Sequence, residues 1–331
     1  MVIRKALKYQ LKTNRDQEAI LLEISNNNRF VWNKALALQS RRLERHEKEH
    51  RKLLTYNELA CYLTLWKQSE EWFFLKGAPS QTLQQTLRDL DKALKEAFDP
   101  RQPLKRFPVF KKKHETKGFR FPQSVKVRCN EVFIPKIGWI RFRNSQRLEG
   151  ELKNMTVTEH CGKWYISIQV ETEIKDIAKT KSHKKIGIDL GITKTVALSN
   201  GTVLQGAKSM KIHREKLAKA QKRLAKKRKF SANWKKQKAK IARLHKRISD
   251  IRQDRNHWMS TKITREFSHI YSENLKIKNL SKSAKGTLES PGKMVKQKSG
   301  LNREILDQAW YEFCRQLGYK SQWSGGFYAQ I

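Results

Sequence analysis

Residues 186–192 read IGIDLGI, followed by KTVALS at 194–199, an Asn200-Gly201 pair and TVLQ at 202–205. Short apolar runs separated by Asn-Gly carry a strong local hairpin signal, so this stretch predicts a three-stranded antiparallel meander that opens a domain. Asp189 sits between Ile188 and Leu190 in the middle of an apolar strand. An ionised carboxylate is costly there unless a cation or a donor compensates it. A strand carboxylate flanked by Gly187 and Gly191 therefore reads as functional.

Downstream, two long basic helices are expected. Leu217, Ala220 and Leu224 line one face of the first, and Ile241, Leu244, Ile248 and Ile251 step by three and four along the second, so the pair can pack as an antiparallel hairpin. No acid lies between Glu215 and Asp250. A helical face without compensating acids repels itself, which makes this arm, about 207–258, a phosphate-facing element. Its candidate contacts are Lys222, Arg223, Lys226, Lys227, Arg228, Lys235 and Lys236. His213, His245 and His257 read as surface or phosphate contacts. HIYSENLKIKNL (269–280) predicts a strand and a loop, and the Ser/Gly/Lys-rich residues 281–300 predict a mobile stretch. A helix from about 302 to 317 follows, with Glu304, Asp307 and Glu312 expected at its surface. The final GFYAQI predicts an apolar strand.

Upstream, residues 1–12 predict a short strand ending in a turn at Thr13-Asn14, and helices run to about residue 98. Thr55-x-x-Glu58 is a capping box, and Leu83, Leu87, Leu90, Leu94 and Phe98 recur at helical spacing after Ser80, the expected N-cap. Beyond Asp99-Pro100, short alternating runs at 131–134, 139–142 and 163–171 predict a β-sheet closing into a barrel. KTKSHKK at 179–185 reads as a linker. Phe107, Phe110, Phe119 and Phe121 interleave with Lys105, Arg106, Lys111, Lys112, Lys113 and Arg120, a pattern suited to stacking on bases while tracking phosphates.

Charge sets the function class. The chain has 72 Lys plus Arg against 31 Asp plus Glu, a net +41 over 331 residues. That field recruits a polyanion, and salt-sensitive nucleic-acid binding is the default expectation. Nine Trp and fourteen Phe argue for folded cores rather than a short ribosomal or chromatin tail. Cys61, Cys129, Cys161 and Cys314 form no C-x-x-C pair, which speaks against a zinc ribbon or a disulfide framework. The start MVIRKALKYQLK has no apolar signal core, and no run approaches the roughly eighteen apolar residues of a membrane span. The expected location is cytoplasmic, at the nucleoid.

A GIDLGI strand has two known uses. It holds catalytic Mg²⁺ in ribonuclease H-like nucleases, and it cradles phosphates in actin-like and chaperone ATPases. The motif alone does not separate them. The large basic region before it and the cationic hairpin after it favour the nuclease fold.

With RFVWNKAL (29–36), PVFKKKH (108–114), IPKIGWIRFR (134–143), GKWYISIQVE (162–171), QKRLAKKRK and RQDRNHWMSTKI (252–263), the chain resembles the TnpB (OrfB) family of insertion-sequence proteins over nearly its whole length. The resemblance implies an α+β fold: a helical recognition domain (15–98) inserted in an oligonucleotide-binding-like β-barrel (1–14 and 99–178). A RuvC-type ribonuclease H-like α/β domain (179–331) carrying the basic hairpin follows. It also implies RNA-guided DNA cleavage, with guide RNA and double-stranded DNA as partners. Asp189 matches the family's first catalytic carboxylate, and Glu273, in the E-x-L-x-x-x-N run ending at Asn279, matches the second. Such carboxylates hold Mg²⁺ for in-line phosphodiester displacement. The family's four-cysteine zinc ribbon and third carboxylate are not reached by Ile331. The resemblance therefore implies a C-terminally truncated member with no zinc, an incomplete Mg²⁺ site and impaired cleavage. The alternative is a non-catalytic nucleic-acid-binding protein, a repressor or an RNA-binding remnant.

Overall fold

A computed structural model describes residues 2–44, 52–113, 117–173 and 184–331. It is a mixed α+β structure, 49% helix and 22% strand, and divides into two compact units, Met1–Glu173 and Ile174–Ile331.

The first unit begins with β1 (Val2–Gln10), which runs into α1 (Arg15–Leu43). The predicted turn residue Asn14 is the N-cap of α1: its side chain accepts from Gln17 N at 2.8 Å while Gln17 Oε1 accepts from Asn14 N at 3.1 Å. α2 (Tyr56–Gln68) starts at the predicted Thr55/Glu58 capping box. A 3₁₀ helix (Glu70–Gly77) leads to α3 (Ser80–Ala97), whose Leu83, Leu87, Leu90 and Leu94 are all buried. Ser80 is the first helical residue rather than the N-cap; Pro79 holds that position, and Ser80 Oγ instead accepts from Lys67 Nζ at 2.9 Å. α1 and α3 are also joined by a buried polar bridge, Asn28 to Thr82 (3.1 Å) and Thr86 to Asn28 (2.7 Å).

The strands that follow are β2 (Lys117–Phe121), β3 (Val127–Arg128), β4 (Glu131–Ile134), β5 (Gly138–Arg141), β6 (Glu151–His160) and β7 (Lys163–Glu173). The expected barrel is instead two sheets: a four-stranded antiparallel sheet, β1-β7-β6-β2, and a three-stranded meander, β3-β4-β5. The Leu11–Phe142 bridge ties them. Helices and sheets share one core, in which Leu21, Leu83, Phe121, Ile140 and Ile166 belong to a single buried cluster.

The second unit carries β8 (Lys185–Asp189), β9 (Val196–Leu198) and β10 (Val203–Leu204), the predicted meander, with Gly201 at φ +86° in its Asn-Gly turn. Residues 179–183 of the expected linker lie outside the described residues, while Lys184 already accepts backbone hydrogen bonds and Lys185 opens β8. Next come the two arm helices, α4 (Ser209–Ala225) and α5 (Ala232–Glu266), then β11 (His269–Ser272) and α6 (Ile277–Leu280). The single helix expected at 302–317 is two: α7 (Val295–Gln308) and α8 (Trp310–Trp323). The break lies at Ala309, with φ +52°. The chain ends in β12 (Phe327–Gln330), and the sheet order is β10-β9-β8-β11-β12 with β8, β11 and β12 parallel. Ile186, Ile188 and Ile270 bury one face of this sheet together with Met259 and Ile263 of α5 and Phe313 and Leu317 of α8.

Lys320 of α8 crosses to α5, donating to His257 O (2.9 Å), Ser260 Oγ (2.7 Å) and Thr261 Oγ1 (2.8 Å). Burial, reinforced by Arg265 and opposed by Glu312, lowers its pKa to about 8. An unfolded lysine titrates near 10.4, so the unfolded chain binds more protons between the two values and this group's contribution to stability rises with pH across that window. From pH 8 to 10, thermal unfolding is expected to shift in favour of the parent chain relative to Lys320→Met; parallel profiles would contradict this assignment.

Candidate nuclease site and nucleic-acid surfaces

Asp189 is the last residue of β8 and is exposed, not embedded in an apolar strand as its sequence neighbours led one to expect. Strand alternation explains this: Ile186 and Ile188 turn into the core, and the intervening Gly187 and the terminal Asp189 turn to the other face. Burial therefore does not mark this carboxylate. The two motif glycines differ as well. A Cβ at Gly187 would meet Ser199 at an ordinary 3.6 Å, whereas at Gly191 it would lie 2.8 Å from the Lys194 carbonyl oxygen, so the turn just past Asp189 requires glycine.

β11 pairs in parallel with β8, with Ser272 opposite Ile188. The next residue along the chain from each is Asp189, which ends β8, and Glu273, which follows β11. Ile270 and Ser272 face the core, so Glu273, like Asp189, emerges exposed on the far face. Neighbouring strands lie about 4.8 Å apart, a spacing at which carboxylates on two strands can share a cation. Asn274 N donates to Ile331 O at 2.9 Å and Ile331 N to Ser272 O at 2.9 Å, tying this end of β11 to β12. Below it, Ser272 Oγ and the Tyr328 hydroxyl are 2.8 Å apart, and burial, with the Cys314 thiol beside it, raises the Tyr328 pKa.

Neither carboxylate has a hydrogen-bonded or ion-paired side chain among the described residues. In so cationic a chain, two adjacent unpaired carboxylates suit a hard divalent cation with oxygen ligands. No third His, Cys, Asp or Glu completes a metal-holding group among the described residues. Asp307, expected at a helix surface, is instead buried. It accepts from Ser209 Oγ (2.8 Å), Met210 N (3.0 Å) and the Arg252 guanidinium (2.9 Å). It thereby caps α4 and ties the arm's root to α7. Glu312 is held by Arg315 at 2.8 Å, which keeps its carboxyl below the usual range.

The cationic candidates fall on two surfaces, one in each unit. In the arm, Leu217, Ala220 and Ile248 are buried, while Lys222, Arg223, Lys226, Arg228, Lys235 and Lys236 are exposed and Lys227 is partly so. Gln237 Nε2 donates to Ala220 O at 2.9 Å across the hairpin, and exposed Phe230, at φ +66°, packs against Trp234 at the turn with the rings tilted by 50°. His245 and His257 are exposed as expected, although partial desolvation lowers the His257 pKa, whereas His213 Nδ1 is buried without a partner among the described residues. Replacing Lys222, Arg223, Lys226 and Arg228 by Ala is expected to flatten the log-affinity versus log-salt slope for duplex DNA, by about 0.9 for each phosphate that is no longer neutralised. Fluorescence anisotropy in a salt series measures it; an unchanged slope takes the arm out of the interface.

In the first unit, Lys111, Lys112, Lys113 and Arg120 rim a 380 Å³ cleft whose walls add residues that sequence reasoning missed: Arg29, Asn26, Gln85, Asp89 and Lys117. Arg29 Nε is buried there without a partner among the described residues. RFVWNKAL and PVFKKKH prove to be spatial partners. Trp32 Nε1 donates to Val109 O (3.1 Å), and Asn33 clasps the Lys111 backbone from both sides (3.0 and 2.8 Å). The Lys111 ammonium lies 3.6 Å from the Trp32 ring centroid, where burial lowers its pKa against the pull of Asp89. Lys111 is thus engaged with Trp32 yet remains exposed, as do Lys112, Lys113 and Arg120.

A sequence profile described as “Probable transposase” (OrfB_IS605) matches residues 166–284, and one described as “Helix-turn-helix domain” (HTH_OrfB_IS605) matches residues 1–48. “Putative RNA-guided DNA endonuclease InsQ” of Escherichia coli (strain K12) is 45% identical over 324 residues, 97% of this chain and 79% of that protein. The chain belongs to the TnpB (OrfB) family. A Streptomyces pristinaespiralis protein named “Putative RNA-guided DNA endonuclease” is 32% identical over 98% of this chain and 76% of its own. Among solved structures, a chain of the “Cas12f1-sgRNA-target DNA complex” overlaps loosely, with a TM-score of 0.30 and 14% identity over 99% of this chain and 85% of that one. In this TnpB-family chain, the residues matched by the transposase profile run from β7 to the loop past α6 and contain both Asp189 and Glu273. The described residues matched by the helix-turn-helix profile form β1 and the single 29-residue α1. No helix of the described residues is long and apolar enough to cross a membrane.

Proposed function

We propose that this chain is a transposon-associated, RNA-guided DNA-binding protein whose guide RNA and target duplex lie along its cationic surfaces. Asp189 and Glu273 are the metal-holding carboxylates of its phosphodiesterase site. The observation that carries the reading is the parallel pairing of β8 and β11, with Ser272 opposite Ile188, which supports a shared role for the unpaired carboxylates of the residues that follow, Asp189 and Glu273. The family membership and the names of its relatives point the same way.

Asp189 and Glu273 would hold Mg²⁺, which when bound supplies an activated water and charge stabilisation at the leaving oxygen. The chain's own part is to aim the two carboxylates from rigid strand ends, with Gly191 making the tight turn that follows Asp189. On the first unit, residues 15–98 serve as a recognition lobe, and Lys112, Lys113, Lys117 and Arg120 follow phosphates. On the second, Lys222, Arg223, Lys226, Lys227, Arg228, Lys235 and Lys236 do the same.

RNA that copurifies with the protein is the direct test. It is expected in stoichiometric amount and to leave steeply as salt rises from low to physiological concentration. A preparation free of nucleic acid, with a flat salt dependence on rebinding, overturns the proposal.

A further inference from the structure

The tip of the basic arm carries an aromatic side chain that the fold does not use. Between α4 and α5 the chain turns at Arg228–Ser231, closed by a hydrogen bond from Ser231 N to Arg228 O at 3.3 Å. Phe230 takes the third place of this turn at φ +66°. That conformation favours glycine or asparagine and is costly for a bulky side chain. The ring is 74% exposed and belongs to neither buried hydrophobic cluster. Burial therefore offsets neither the backbone strain nor the apolar surface left in water, and strain of this kind collects where a ligand is held.

The ring is nevertheless braced. Its centroid lies 5.6 Å from that of Trp234, whose backbone N–H donates to the hydroxyl of Ser231, the N-cap of α5, at 3.1 Å. Lys238 Nζ stands 5.1 Å from the Trp234 ring centroid, and Gln237 fastens this turn of α5 to α4. Around the pair everything is cationic: Lys226, Arg228, Lys229, Lys235 and Lys236 are exposed, and no acid lies between Glu215 and Asp250. A flat apolar face inside a positive field suits a partner that brings phosphates and base faces together. Unpaired bases are the ones whose faces are free. Folded RNA displays them in loops and bulges, whereas a DNA duplex must first be unstacked at a cost.

We infer that Phe230, braced by Trp234, is a stacking platform for an unpaired base in a loop of bound RNA. The phosphates on either side of that base are held by Arg228, Lys229, Lys235 and Lys236. This rests on the reading of the arm as a nucleic-acid surface and names the group that its tip takes.

The test uses the full chain, freed of copurified RNA in high salt, with three probes: an RNA hairpin with an unpaired loop, a blunt RNA duplex of the same stem and a blunt DNA duplex. Stacking on a ring tolerates any base, so the loop need not be a cognate sequence. Phe230→Gly removes the ring and suits the turn, so its unfolding midpoint should stay close to the parent's. Its affinity for the hairpin should fall about 5- to 150-fold, the scale of one stacked base, while both duplexes change little. The log-affinity versus log-salt slope should hold, because no cation is lost. Phe230→Tyr keeps a flat ring and should restore the affinity. Crosslinks from 4-thiouridine in the loop are expected on residues 230–235. Unchanged hairpin affinity in Phe230→Gly, a loss seen only with a lowered unfolding midpoint, or crosslinks confined to other segments overturn the proposal. An equal loss on the blunt DNA duplex overturns the assignment to an unpaired RNA base and makes the ring a wedge between paired bases. A chain that retains none of the three probes at any salt overturns the nucleic-acid reading of the arm, and the platform with it.

Discussion

Asp307→Ala is expected to destabilise the second unit by about 3–5 kcal/mol, the usual consequence of removing one partner of a buried ion pair. The Asp307 carboxylate receives Arg252, Ser209 Oγ and the Met210 N–H at once, and its side chain is 3% exposed against 25% for Arg252. Without it, the guanidinium is left uncompensated and the first turn of α4 loses its acceptor, where the helix dipole also favours a negative charge. For a cooperative unit of this size, the loss lowers the unfolding midpoint by roughly 6–20 °C. Asp307→Asn keeps one acceptor, which can serve the Met210 N–H while the Ser209 hydroxyl turns to accept from the amide, and should lose less. Differential scanning calorimetry of the three proteins decides it. A change under about 1 kcal/mol for Asp307→Ala would mean that the unit repacks without this clamp, whereas folded but weaker duplex binding would show that Asp307 mainly aims the arm.

The second large effect concerns cleavage. A polypeptide of these 331 residues is expected to cut guide-matched duplex DNA very weakly or not at all in Mg²⁺ or Mn²⁺, while binding persists. Two divalent cations bring about four positive charges into a small cavity and need several carboxylates to position them. Of the other acids that the sequence offered, Asp307 is committed to Arg252 and Glu312 to Arg315, while Glu304 is exposed on α7. Any residual rate should fall in Asp189→Ala or Glu273→Ala by more than the roughly 10–100-fold typical of losing an outer partner of a metal ligand. Robust cleavage that Asp189→Ala abolishes would falsify the expectation that two carboxylates are too few and would keep the site assignment. Robust cleavage indifferent to both substitutions would place the chemistry elsewhere.

Much of this was legible in one dimension. The turn at Asn14, the capping box at Thr55, the leucine stripe of α3, the Asn200-Gly201 hairpin and the acid-free arm are local patterns, and local hydrogen bonding and periodicity decide them within a few residues. The motifs also marked Asp189 and Glu273, although burial in an apolar strand, the expected signal at Asp189, is not the property that holds. Its position at the end of β8 depends on where pairing with β9 and β11 stops, which no single strand reveals.

Charge patterning likewise found Lys111 without revealing that Trp32 takes up its ammonium, since the two are far apart in sequence. The two open sheets in place of a barrel, the break at Ala309 and the inward turn of Asp307 depend on partners from distant segments in the same way. The sequence by itself determined the helices of the first unit, the hairpin and the field that recruits a polyanion, because nearest neighbours and net charge set these. Tertiary structure alone decided that β8 and β11 lie side by side, that Asp307 is a buried clamp rather than a surface residue and that Trp32 seats Lys111, because each depends on strand register and on long-range packing that closes only when the whole chain folds.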